Sequence, residues 1–517
     1  MIYDLTRRFI QLTILFYSIA SFSQDGLNLS LNSVYASTAD AVYVKDKYAY
    51  VIGNTFDTTK IAVLVGKFYK INLETNIIED SIEINSNPIE FDTRSTKLAN
   101  INDTLHYFTY GEEWRDTMID NQNVYTYYHH FKYSLSDGVW SNQTFPAYNE
   151  VGRQFLANKD AYISDSSIYL VGITTDFEIN DADILLTKLD HHGKVIWNIE
   201  LEYEIFHSVW RILENRKKEI IVSGLISDIA PDRRSGYRHP YLIKINAISG
   251  EVIKKFVLEQ DSDIPKSLIE DPSGGYIIGA GNAEFQEGAV FPAITRIIKI
   301  NEDLDSVEWE IELSDTLSYN FLWHLDNFTS LGNNEFLAVG VSDMIKPFSH
   351  DGRIVKFTGD GKLIFDKEIQ HFSPRDDLEQ RLTDVFPYKD GFIACGTVFA
   401  HTSDFIIPRQ QGWIVYIDKN GNADISSTTS ELEANDDGTV HVFPNPSNGN
   451  FTIEFNENIE EDLNYEIHTI NGIKIQSDLI SKGSKQHTVN MQASSIGVHV
   501  LSLYTSDRKV SKLLFLE

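Results

Sequence analysis

The residues best suited to chemistry in this sequence are two adjacent histidine pairs, an acidic turn, an arginine-rich loop and a single cysteine. His129-His130 and His191-His192 are the obvious imidazole donors. Neighbours on a strand face opposite sides, so neither pair closes readily on one metal ion. The run "DKNGNAD", Asp418 to Asp424, sets oxygen ligands at alternate positions as calcium loops do, but it lacks the closing bidentate glutamate. Ordinary turn chemistry explains that run equally well. No metal or cofactor is therefore expected, calcium being the one ion for which donors of the right kind are present. Cys395 in "GFIACG" lies inside a strand-like run and reads as a small buried apolar residue, and a lone cysteine forms no internal disulfide. Nothing resembles a Gly-x-Ser-x-Gly elbow, a His-Glu-x-x-His helix or a phosphate loop.

Binding is better represented than catalysis. The loop "DRRSGYRH", Asp232 to His239, places three arginines and a tyrosine together in a chain of net charge −31. Arg233, Arg234 and Arg238 with Tyr237 can grip carboxylates or sulfates, although a solvated loop balancing local acid gives the same composition. Trp114, Arg115, Tyr127, Phe285, Phe348, His350, His401 and Arg409 fall in comparable segments elsewhere. The acidic balance repels nucleic acid, which is excluded as a partner.

These segments are held by a repeat. A strand of the form apolar-x-apolar-x-Gly recurs with its glycine at 53, 111, 172, 224, 281, 340 and 396, at intervals of 52 to 61 residues. Each is preceded by another strand and followed, after a connector of about 11 to 18 residues, by two strands about a Gly or Asp turn, as in "LTKLDHHGKVIWNIEL". Seven units of four antiparallel strands, with no amphipathic helix between them, predict a seven-bladed β-propeller over residues 27–425. The last unit lacks a clear outer strand, which "LNLSLNS" near Leu27 can supply. Antiparallel blades bring all seven connectors to one face, the natural place for a ligand. The turn pattern resembles exported propellers built on "lvkld.nGe.lW", matched best by Leu186 to Trp197.

The two ends carry addresses. Arg7 and Arg8, an apolar run from Phe9 to Ala20 and small residues around Phe22 lay out a secretory signal peptide over residues 1–23. That run is too short to span a bilayer, and no later stretch does so, so the mature chain has no transmembrane segment. Residues 426–440 are small, polar and acidic and read as a linker. From 441 to 517 about seven short strands predict a small β-sandwich, opening on "VFPNPSNGNFTIEF", in which Pro444, Asn445, Pro446 and Gly449 shape the turn before Phe451, and continuing through a hairpin turn at Asn471-Gly472.

With "FPNPSNGNFTI", "YEIHTINGIKI", "SSIGVHVLSL" around Gly497 and a last strand carrying Lys512, this tail resembles the type A C-terminal sorting domain of the type IX secretion system. His499 departs from the aromatic residue usual after Gly-Val. The resemblance implies export through the general secretory route, recognition of residues 441–517 by the type IX machinery, and delivery to the outer-membrane surface or the medium. The propeller is then expected to be a non-enzymatic binder of a glycan, peptide or surface partner; the alternative is a propeller-type polysaccharide lyase or hydrolase.

Overall fold

The computed structural model describes residues 27–31, 37–57, 63–84, 90–91, 98–114, 124–146, 154–176, 181–201, 207–227, 238–258, 263–282, 294–314, 325–342, 350–371, 378–400 and 410–423. In the tail it describes 440–445, 447, 449–456, 458–459, 462–469, 474–491, 497–504 and 509–516. All elements among them are β-strands. No helix among the described residues is long and apolar enough to cross a membrane. The chain separates into two compact units between Asp424 and Ile425.

The first unit is a seven-bladed β-propeller. Its blades comprise residues 41–83, 90–146, 154–201, 207–257, 263–314, 325–369 and 378–418. Each is an antiparallel sheet whose strands follow sequence order, and the first strands of blades 3, 4, 5, 6, 7 and 1 touch in succession, so they are innermost. In blade 2 the inner position is divided between Glu90–Phe91 and Ala99–Ile101, both paired to Thr104–Trp114. The last blade contributes only three strands from its own segment. Its fourth is Asn28–Leu31, antiparallel to Gly412–Val415, which closes the ring as the sequence anticipated.

Middle strands such as Glu335–Val341 are apolar almost throughout because both faces are covered by neighbouring blades. The recurrent glycines do not end their strands: Tyr48–Asp57 runs through Gly53, and Gly391–Ala400 through Gly396. They make room for the inner strand. A Cβ on Gly53 would stand 2.0 Å from the Thr38 carbonyl oxygen, and on Gly396 it would collide with that of Arg381. In blades 3 to 7 the inner strand bulges beside a glycine of its partner.

The turn signature joins one blade to the next. At the turn between the third and fourth strands, Asp190 Oδ1 accepts from the backbone N–H of His192 (2.8 Å) and Lys194 (2.9 Å). Asp418 Oδ1 does the same for Asn420 and Asn422, both at 2.8 Å, so local turn chemistry accounts for the acidic run; Asp424 lies outside the described residues. The lysine and tryptophan of the signature then reach the following blade. Lys188 Nζ (2.8 Å) and Trp197 Nε1 (3.2 Å) both donate to the Ala247 carbonyl, and Lys299 (3.4 Å) and Trp309 (2.9 Å) both donate to that of Gly359. Lys244 reaches the Glu302 carbonyl at 2.7 Å. The Trp309 ring lies against Gly361, whose φ of 83° and absent side chain permit the contact.

Two further details concern the residues singled out for chemistry. Cys395 is fully buried, its thiol pushed well up by burial. His129 and His130 do face opposite sides: His129 Nδ1 meets Thr144 Oγ1 at 3.0 Å, whereas His130 Nε2 meets His106 Nδ1 at 3.0 Å. His191, from the neighbouring blade, completes a three-imidazole cluster, its ring centroid 5.8 Å from His106 and 6.3 Å from His130. It donates through Nε2 to the Ser164 carbonyl. The sequence offered no signal for this meeting, because it joins three strand or turn positions across two blades.

The tail unit is a sandwich of seven strands. Val440–Phe443, Asn450–Phe455 and Gln486–Asn490 form one sheet; Lys474–Ile480, Leu463–Thr469, Gly497–Tyr504 and Lys509–Leu516 form the other. Phe451, Ile453, Tyr465, Ile467, Leu501 and Leu514 fill the space between them.

Two outcomes are expected. Lys299 (7% exposed) pairs with fully buried Asp271 at 2.7 Å. Lys299→Met is expected to cost about 3–5 kcal/mol in denaturant unfolding by leaving that carboxylate unpaired. Stability should also fall on acidification. Burial, followed by Lys132 and the nearby imidazoles, lowers His106 to about 4 and His130 to about 2, and burial lowers His371 to about 3. Unfolding restores values near 6.5, so the unfolded chain takes up more protons below that pH. The melting temperature is expected to be highest above about pH 6.5 and to drop steadily towards pH 4.

Candidate functional site

The connectors between second and third strands span 58–62, 115–123, 177–180, 228–237, 283–293, 342–351 and 401–409. They are shorter than the sequence suggests because the second strands continue past their glycines. Antiparallel order sends all seven to one end of the blades, together with the links between blades. Trp114 ends the strand Thr104–Trp114 with its backbone opposite Val124, Tyr127 lies opposite Gly111, and Arg238 opens its strand opposite Ser227. Arg115, Arg233, Arg234, Tyr237, Phe285, Phe348, His401 and Arg409 lie outside the described residues. His350 is 6% exposed and sits in the seam with blade 7, its carbonyl accepting from the Gln380 N–H at 2.8 Å.

A second group, missed by the sequence reading, lies on the propeller axis. Asp326 is the unpaired bulge residue of blade 6. Its carboxylate takes the fork of Arg381 from blade 7, Nε to Oδ2 at 2.6 Å and Nη2 to Oδ1. Its carbonyl accepts from Nη2 of Arg211, two blades away in blade 4, at 2.6 Å. The Arg381 side chain is 42% exposed, yet protein crowds it: burial opposes its charge most strongly, and Asp326, Asp40 and Glu379 outweigh that and raise its pKa. Lys266, the bulge residue of blade 5, holds Nζ 5.2 Å from the ring of Trp210, the bulge residue of blade 4. The sequence carried one signal for this group. Asp160, Asn327 and Asp384 stand 12 or 13 residues before their repeat glycines, and at that spacing blade 4 has Arg211.

In the tail, the motif residues divide by exposure. Phe451 is 2% exposed, and Gly449 turns with a φ of 94° while its carbonyl accepts from the Met491 N–H at 2.7 Å. Phe443 (44%), Pro444 and Asn445 are exposed. Gly497 pairs with Leu516 and Lys512 with Leu501. His499, the departure from the usual aromatic residue, is buried. Pro446, Asn471 and Gly472 lie outside the described residues, although the strands that flank the Asn-Gly pair are antiparallel neighbours.

Residues 441–517 match the family described as the secretion system C-terminal sorting domain. The tail is a type IX secretion sorting domain. This sorting-domain protein is therefore exported and either secreted or attached to the cell surface. No curated protein matches the chain. Solved structures similar to it include an ulvan lyase of a new polysaccharide lyase family (13% identity, 76% of this chain and 97% of that one, TM-score 0.48). The β-propeller domain of the trilobed protease from Pyrococcus furiosus is also similar (9% identity, 77% and 99%, TM-score 0.40), as is Sqt1 from Chaetomium thermophilum (10% identity, 76% and 99%, TM-score 0.38).

The exposure of the motif separates folding from recognition. Phe451→Asp buries a carboxylate without a partner, a cost of several kcal/mol, and is expected to unfold the tail and block export. Phe443→Ser is expected to leave the stability of the tail within about 0.5 kcal/mol of the parent. Thermal melts of the purified chains, paired with periplasmic and surface fractionation, read both outcomes.

Proposed function

We propose that this sorting-domain protein is a non-enzymatic binding propeller that engages a glycan, peptide or surface partner bearing carboxylates or sulfates through its connector face. A cleaved signal peptide over residues 1–23 and the acidic linker 426–440 complete this reading, delivering the propeller across both membranes and separating it from its address. The observation that supports it most is the difference between the two faces. The short turns on one face have side chains bonded to their own backbone and carbonyls that accept lysine and tryptophan donors from the preceding blade. The opposite face holds the longer connectors, with "DRRSGYRH" among them.

A glycan-array screen of the purified chain, run beside a polysaccharide degradation assay, tests the proposal. Binding without turnover is the expected result. Degradation of a polysaccharide would replace this reading with the lyase or hydrolase alternative, and silence in both assays would overturn the acidic-glycan form of it.

A further inference from the structure

We propose that the propeller axis holds an anionic group, a carboxylate or a sulfate, on Arg211. The inference rests on the reading of the propeller as a binding module and gives that module its axial anchor. It starts from a contact that the inner strands of blades 3, 6 and 7 make after their bulges and that blade 4 does not make; blade 5 has Ser267 there. After the bulge, Asp160 Oδ1 accepts from its own neighbour Ala161 N–H at 2.9 Å, and Oδ2 accepts from Ile212 N–H of the next blade at 3.0 Å. Asp384 repeats both contacts, to Val385 (2.9 Å) and across the ring closure to Val42 (3.0 Å). Asn327 bonds Phe328 N–H at 2.9 Å and, across the seam, Asp384 at 2.6 Å. The residue at this position is therefore a seam staple in blades 3, 6 and 7.

Arg211 occupies the same position and staples nothing to the adjacent blade. It reaches across the axis to a neutral carbonyl on blade 6. The carboxylate of that same Asp326 is neutralised by Arg381, and Arg211 forms no ion pair with any described carboxylate. Among the described residues Arg211 thus has no carboxylate partner, in a chain whose net charge is −31. Sequences that specify one fold break their own local rules mainly where function requires it. Arg211 lies opposite Ser223, four residues from the connector end of that strand at Ser227, or about 13 Å below the face. Its neighbour in the chain is Trp210, whose ring lies 5.2 Å from Lys266 Nζ. A guanidinium with donors to spare suits the paired oxygens of a carboxylate or sulfate, and the aromatic ring suits the apolar face of the residue that carries the anion.

Calorimetric titration of the full chain with a galacturonate oligosaccharide, a dextran sulfate oligosaccharide and neutral dextran tests the assignment. The parent is expected to bind one or both acidic probes and not the neutral one, and the arm that binds identifies carboxylate or sulfate. Arg211→Gln should weaken that binding at least tenfold with an unchanged melting temperature, and Arg211→Lys should recover part of it. Parent-like affinity in Arg211→Gln overturns the axial site. If affinity is instead lost only on replacing Arg233, Arg234 and Arg238 together by Gln, the connector-face reading stands without it. A parent chain that binds none of the probes overturns the axial site and the acidic-glycan form of the connector-face reading.

Discussion

Closure of the ring is the constraint on which the rest of the propeller depends. Each blade is apolar on both faces and cannot bury either without a neighbour on each side, so an open arc would leave two faces in water. Closure comes from Asn28–Leu31 pairing with Gly412–Val415, nearly the full length of the repeat region apart. Side chains secure the join: Trp413 Nε1 donates to Asn28 Oδ1 at 2.8 Å, Ser30 Oγ meets His371 Nε2 at 2.9 Å, and Val42 N–H is held by Asp384.

The interior seams use one economical device repeatedly. A blade presents a turn whose carbonyl still has acceptor capacity, and the preceding blade supplies the lysine ammonium and indole N–H that fill it. These donors sit at 7–8% exposure in Lys299 and Lys244, where a hydrogen bond left unmade would be costly. The consequence is a division of labour between faces. Turns that hold the ring together are committed to it.

Conversely, the axis is where the repeat departs from itself. Inner strands need a bulge to turn their polar residues towards the seams, and the partner glycine exists to admit that bulge. In blades 3 to 7 the same bulges turn residues out of the pairing. In blades 4, 5 and 6 these are Trp210, Lys266 and Asp326, and Asp326 meets Arg211 and Arg381 from two other blades.

Strand periodicity, turn chemistry and motif order are local properties, and from them the sequence by itself determined the all-β class, seven repeats, the closing strand near Leu27 and the sorting tail from 441. It marked Gly53 and Gly396 as recurrent, but as strand ends; their true role appears only when the opposing carbonyl is in place, 2.0 Å from where a Cβ on Gly53 would sit. It separated His129 from His130 correctly by strand alternation and could not bring His130 to His106 and His191. Those three, like Arg211, Asp326 and Arg381, come from different strands, turns or blades. Their proximity depends on how sheets stack around an axis, and only the tertiary structure decided it, because the side-chain pattern of one strand records which face is buried and not which residue of another blade lies against it.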